Sequence, residues 1–75
     1  MFTYFKRRGR SYDVYYKRRW IGVTEPAGSG WIFCDPHTKV VYGFGYTRDS
    51  VVSYCYNLGY YVGGKHDSIE FVFAQ

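Results

Sequence analysis

Apolar and polar residues alternate in short runs along most of the chain, and glycine, proline and aspartate separate the runs. Alternation with a period of two, in segments rich in aromatic and β-branched residues, is typical of β-strands. The pattern therefore predicts a small antiparallel sheet of four to five strands. The segments that show it are Tyr12 to Lys17, Arg19 to Glu25, Trp31 to Asp35, Lys39 to Tyr46 and a closing strand over residues 68–75.

Three stretches between these runs have the composition of turns. They read EPAGSG at 25–30, DPHT at 35–38 and GGKHDS at 63–68. The first two strands are separated only by a basic tripeptide at 17–19, which lacks the Asn-Gly or Asp-Gly of a firm hairpin turn. It is either a hairpin tip or part of one unbroken strand through residue 24. Residues 1–11 supply either an edge strand or a basic arm.

One segment, at about 47–59, changes to a helical period. A threonine at its start is a good N-cap residue. Val51, Cys55 and Leu58 recur at helical spacing, and Gly59 can end the helix in the left-handed conformation. We therefore expect one helix here, packed on one face of the sheet.

Together these elements predict an α+β fold in a single small domain over residues 1–75. One helix can cover only one face of a sheet, whereas aromatic side chains point to both faces. The strand that precedes the helix is expected to hold Val40, Tyr42, Phe44 and Tyr46 on one side. Some rings must then lie on an uncovered face. That face is free to bind a ligand, or it is covered by the N-terminal segment or by a second copy of the chain in a homodimer.

Charge is distributed unevenly along the sequence. Residues 1–24 hold seven lysines and arginines and one acidic residue, whereas residues 25–75 hold three basic and five acidic residues. A concentrated positive charge favours a polyanionic partner, which can be nucleic acid, an anionic membrane or an acidic protein surface. The alternative is a charged face that serves only solubility.

Arginine predominates among the clustered cations, and its planar guanidinium group can bind phosphate oxygens or a guanine edge through two hydrogen bonds. Neighbouring aromatic rings can stack on bases. If about five of these charges neutralise phosphates, the logarithm of the binding constant should fall with the logarithm of salt concentration at a slope near −4 to −5. The candidate binding residues are Lys6, Arg7, Arg8, Arg10, Tyr15, Lys17, Arg18, Arg19 and Trp20.

The sequence gives little support for nucleotide binding, catalysis or a metal site. The GxxxxGK pattern at 59–65 resembles part of a phosphate-binding loop, but His66 stands where the magnesium-binding hydroxyl is required. No set of nucleophiles and bases has a catalytic spacing, so we expect a protein that is not an enzyme and that has no cofactor. We expect Cys34 and Cys55 to be buried free thiols rather than a disulfide. With His37 and His66, they match no zinc-binding spacing.

Localisation follows from the apolar runs. None approaches the roughly 18 residues that a membrane span needs, and the N-terminus lacks the apolar core of a secretion signal. We therefore expect the protein in the cytoplasm.

The stretches YDVYYKRRWIGV and GWIFCDPHTKVVYGFGYTRDSVVSYC, within residues 12–60, resemble AP2-type and integrase arm-type DNA-binding domains. In those domains a strand that ends in Gly-x-Tyr or Gly-x-Phe leads through a threonine into a helix. The stretch that matches here is Gly45-Tyr46-Thr47-Arg48-Asp49. The resemblance implies a three-stranded sheet that enters the major groove of DNA. The residues of corresponding type are Arg18, Arg19, Trp20 and Trp31.

The function that the sequence favours is therefore non-catalytic binding of nucleic acid, above all double-stranded DNA. The alternative is an accessory or inhibitory protein, such as those of mobile elements, whose cations and tyrosines bind an acidic protein surface. Tyrosine and arginine predominate in protein interfaces as well, so composition alone does not separate the two.

Overall fold

The described part of the chain folds into one antiparallel sheet of five strands followed by one helix, which confirms the predicted α+β class. The computed structural model describes residues 3–64. The strands follow one another in the order β1 to β5, each paired with the next. Both the predicted closing strand at 68–75 and most of the turn at 63–68 lie outside the described residues. The elements are β1 (Tyr4–Arg8), β2 (Ser11–Tyr16), β3 (Arg19–Ala27), β4 (Gly30–Cys34), β5 (Val41–Gly45) and α1 (Arg48–Asn57).

Two-residue turns join the first four strands. The N-terminal segment forms the edge strand β1 rather than an arm, and the basic tripeptide forms a hairpin tip rather than an unbroken strand. The loop predicted at 25–30 is wrong at its start, because β3 continues to Ala27. Pro26 is tolerated there since the pairing with β2 ends two residues earlier, at Thr24, so its missing N–H breaks no bond on that side.

Helix α1 packs on β3, β4 and β5, and we call the side of the sheet that it covers the helix face. The close approach depends on two glycines of β5. A Cβ atom on Gly43 would lie 2.6 Å from the sulfur of Cys55, and one on Gly45 would lie 2.9 Å from Cβ of Val51. The buried core between helix and sheet consists of Val14, Ile21, Phe33, Val51, Val52 and Cys55.

The other side of the sheet, which we call the open face, is not covered by any element of residues 3–64. It carries Tyr4 and Phe44, which are 63% and 51% exposed. The prediction that Tyr42 shares a side with Phe44 is wrong. The register of β4 and β5 shifts at Phe33, and Tyr42 packs against the core with its ring centroid 5.5 Å from that of Phe33.

The helix begins as the sequence predicts. Thr47 is the N-cap, and its hydroxyl accepts a hydrogen bond from the backbone N–H of Ser50 at 3.1 Å. The helix ends at Asn57 with Leu58 as its C-cap, and Gly59 follows with φ of 85°, the left-handed conformation predicted for the residue that ends the helix. Leu58 is 38% exposed rather than part of the core. No helix in the described part of the chain is long and apolar enough to cross a membrane.

Aromatic contacts connect the first two strands to the helix. The guanidinium of Arg48, in the first turn, lies 4.1 Å from the ring centroid of Phe5 and 4.7 Å from that of Tyr12. Near the other end of the helix, the ring centroid of Tyr56 lies 4.8 Å from that of Tyr16. These contacts hold β1 and β2 in place, so the positions of their outward side chains are fixed.

Candidate functional site

An open groove of about 500 Å³ lies at the edge of the open face, where β1, β2 and the β2–β3 turn meet. Three of its side chains are cationic and two are aromatic. It joins part of each of the two basic clusters of the sequence. We call it the basic groove, and its lining residues are Tyr4, Lys6, Tyr15, Lys17 and Arg18.

Strand pairing determines the order of these side chains. Tyr4 lies opposite Tyr15, and their ring centroids are 6.1 Å apart at an interplanar angle of 46°. Lys6 follows Tyr4 by two residues, and Lys17 follows Tyr15 by two residues in the opposite direction because the strands are antiparallel. The ring pair therefore lies between Lys6 on one side and the cations of the turn on the other.

The turn holds its two central residues in a left-handed conformation, with φ of 52° at Lys17 and 65° at Arg18. Two positive φ values are the signature of a type I′ turn, whose twist matches that of the flanking strands. Side chains other than Gly and Asn adopt this conformation at a cost of roughly 1 kcal/mol per residue. Both side chains are exposed, so the turn presents two cations where local stability favours Asn-Gly.

Among residues 3–64, no carboxylate lines the basic groove. Asp13, which pairs with Lys6 across the strands, is only 2% exposed. Its Oδ2 atom lies 2.8 Å from Nη2 of Arg8, so the charge of Arg8 compensates a buried carboxylate. Arg8 therefore adds little net positive charge to the open face, although it projects on the same side as Lys6.

Three other predicted binding residues lie away from the groove. Arg7 projects on the helix face, and its Nε donates a hydrogen bond to the carbonyl of Gly9 at 3.0 Å. Arg10 is in the β1–β2 turn, at the opposite end of β2 from the β2–β3 turn and roughly 10 Å along the strands from Lys6. The guanidinium of Arg19 donates to the carbonyl of Val62 at 3.3 Å and lies 5.8 Å from the ring centroid of Tyr61.

Trp20, the remaining predicted residue, pairs with Tyr15 and is half-buried beside the groove. Its ring meets that of His37 edge to face, with centroids 5.5 Å apart. The indole Nε1 is buried and has no hydrogen-bond partner among the described residues.

Sequence reasoning missed Tyr4 as a site residue. The signal was present, since Tyr4 and Lys6 alternate with Phe5 and so must share a face once the segment is a strand. The sequence leaves open whether residues 1–11 form an arm or a strand, so the shared face of the two side chains does not follow from it.

Neither cysteine offers reactive chemistry. Both thiols are free, as expected, and Cys34 and Cys55 are 6% and 0% exposed. Burial raises the pKa of Cys34 and raises that of Cys55 to about 11, so both stay protonated near neutral pH and are poor nucleophiles and ligands. Within residues 3–64 no three His, Cys, Asp or Glu side chains are grouped as a metal site.

Comparison with models of known protein families, with curated protein sequences and with solved structures finds no match. The resemblance to AP2-type and integrase arm-type domains therefore stays a prediction.

Proposed function

We propose that this protein binds nucleic acid and that the basic groove holds its phosphates. The observation that carries the proposal is the convergence of Lys6, Lys17 and Arg18 on one groove, which no carboxylate of residues 3–64 lines. Cations supply most of the affinity of proteins for nucleic acids, because each contact with a phosphate releases a condensed counterion.

The spacing of the cations suits a chain with regularly repeated charge. Alternate residues of a strand are about 7 Å apart. Lys6 and Lys17 each lie two residues from the tyrosine pair, on opposite sides of it. A nucleic-acid backbone that follows β1 can thus contact both cations in succession, whereas a single small anion reaches only one end. The sequence favours duplex DNA as the target, and the binding assay compares duplex DNA with single-stranded DNA and RNA.

Binding is tested by fluorescence anisotropy with labelled duplex DNA, single-stranded DNA and RNA of the same length and of random sequence. We expect measurable affinity at low salt for at least one of them, with a steep decrease as salt is added. No change in anisotropy with any of the three at low salt would refute the proposal.

A double variant, Lys17→Asn with Arg18→Gly, tests the groove itself. Asn-Gly is favoured in this turn, so the variant removes two cations while keeping the fold. We expect affinity to fall roughly 30-fold or more at 0.1 M salt. Lys39→Asn is the matched control, because Lys39 is an exposed cation with φ of 65° in the β4–β5 connection, outside the groove lining. Equal losses of affinity in the double variant and in Lys39→Asn would show that the binding site lies outside the basic groove.

The second candidate is an acidic protein partner, and the exposed ring of Phe44 on the open face favours it. Phe44 lies on β5, at the opposite edge of the sheet from β1, and has no role in phosphate binding, whereas exposed aromatic rings are enriched in protein interfaces. Affinity purification from the host after nuclease treatment distinguishes the two. A retained acidic protein, together with no anisotropy change on nucleic acid, would favour the second candidate.

A further inference from the structure

Tyr4 carries the most exposed aromatic ring of the basic groove. Tyr4 is 63% exposed, and β1 has only β2 as a neighbour in the described sheet. The half-buried Tyr15 ring supports it from the adjacent strand, 6.1 Å away. Tyr4 lies on the open face, so its ring does not fill the core between sheet and helix.

An exposed ring with cations on both sides matches the repeat of a single nucleic-acid strand, in which phosphates alternate with bases. In a duplex the faces of the bases are stacked on one another, and only their edges are accessible in the grooves. An aromatic ring stacks on an unpaired base without opening a base step, whereas in a duplex it must first unstack neighbouring base pairs. The order of cation, ring and cation along β1 and β2 therefore favours a single strand over a duplex.

We propose that the basic groove binds single-stranded nucleic acid, with one unpaired base stacked on Tyr4 and with the phosphates on either side of it held by Lys6 and by the cations of the turn. This inference rests on the proposed function and replaces the duplex preference of the sequence. Stacking on an aromatic ring is tolerant of sequence, so the groove accepts each of the four bases.

The test compares four labelled oligonucleotides of equal length, which are single-stranded DNA, single-stranded RNA, duplex DNA and an abasic strand that keeps the phosphates but lacks the bases. We expect at least one of the two single strands to bind more tightly than both the duplex and the abasic strand. Tyr4→Ala should weaken binding of the single strand about 5- to 100-fold and leave the abasic strand unaffected. Tyr4→Phe, which keeps the ring, should retain the affinity.

Tyr54→Ala is the matched control, since Tyr54 is a tyrosine of similar exposure, 62%, on helix α1. Circular dichroism shows whether each variant keeps the fold, and the abasic strand tests stacking even if Tyr4→Ala unfolds. Equal affinities for single strand, duplex and abasic strand would overturn the stacking inference and leave the proposed function standing. No binding to any of the four would overturn both.

Discussion

At the scale of single residues, the basic groove depends on two side chains held in an unfavourable backbone conformation. Lys17 and Arg18 have positive φ, although neither is the Asn or Gly that this turn favours. Strained backbone that is kept in a native structure is often found where function requires particular side chains. The conformation agrees with a binding role for the turn, because both cations are exposed at the end of the hairpin.

The double variant Lys17→Asn with Arg18→Gly should therefore change stability and affinity in opposite directions. Relief of roughly 2 kcal/mol of strain at the two residues, less about 1 kcal/mol for the extra conformational entropy that Gly loses on folding, should raise the free energy of unfolding by about 1 kcal/mol. That gain corresponds to an increase in Tm of roughly 4–8 °C for a chain of this size. Thermal unfolding followed by circular dichroism measures the change. A lower Tm would show that the two cations stabilise the turn through contacts of their own.

At the scale of elements, the distance between α1 and β5 is set by a glycine in contact with a cysteine. Gly43 leaves space for the sulfur of Cys55, which a Cβ atom would approach to 2.6 Å. Cys55 is fully buried and keeps its proton near neutral pH, so it acts as a small apolar side chain here.

Gly43→Ala should destabilise the fold by about 1–3 kcal/mol through overpacking, and Cys55→Ala by about 1 kcal/mol through a small cavity. In the double variant the added methyl group occupies the space that the sulfur leaves. We expect the double variant to be less destabilised than the sum of the single changes by at least 0.5 kcal/mol. Urea denaturation of the four proteins measures this coupling.

Gly28→Ala provides the control for that cycle. A Cβ atom on Gly28 would meet no atom within 4 Å, so its effect comes only from its φ of 59°. Its effect should add to that of Cys55→Ala without coupling. If the effects of Gly43→Ala and Cys55→Ala on stability also simply add, α1 must shift away from the sheet to relieve the contact.

At the scale of the whole molecule, the positive charge of the N-terminal part is divided among different places. Of the seven cations in residues 1–24, three line the basic groove. Arg8 pairs with Asp13, and Arg19 binds the carbonyl of Val62. The net charge of a segment is therefore a poor measure of how many phosphates it can contact.

The salt dependence of binding should show how many of these cations contact phosphates. With three cations in contact with phosphates, the logarithm of the binding constant should fall with the logarithm of salt concentration at a slope of about −2 to −3, instead of the −4 to −5 expected from sequence. In the double variant of the turn the slope should be close to −1. A slope of −4 or steeper for the unchanged protein would show that cations outside the groove also contact the nucleic acid.

The sequence predicts the parts of this fold that depend on neighbouring residues. The N-cap at Thr47 and the buried positions Val51 and Cys55 follow from local spacing, and the structure confirms them. The convergence of Lys6 with the turn depends on strand pairing, and the contact of Arg19 with Val62 depends on where the chain returns after the helix. Contacts between residues so far apart in the sequence leave no local pattern. The sequence therefore predicts the candidate residues as one set, although they lie in several places.

The two tryptophans of the chain lie on opposite faces of the sheet, Trp20 on the open face beside Tyr15 and Trp31 on the helix face against Tyr12. The molecule thus contains its own optical probe. Replacement of Trp31 by phenylalanine leaves Trp20 as the sole indole emitter, next to the groove. Its fluorescence can then follow occupancy of the open face without any attached label, and a signal that stays constant during a titration would indicate a ligand bound elsewhere.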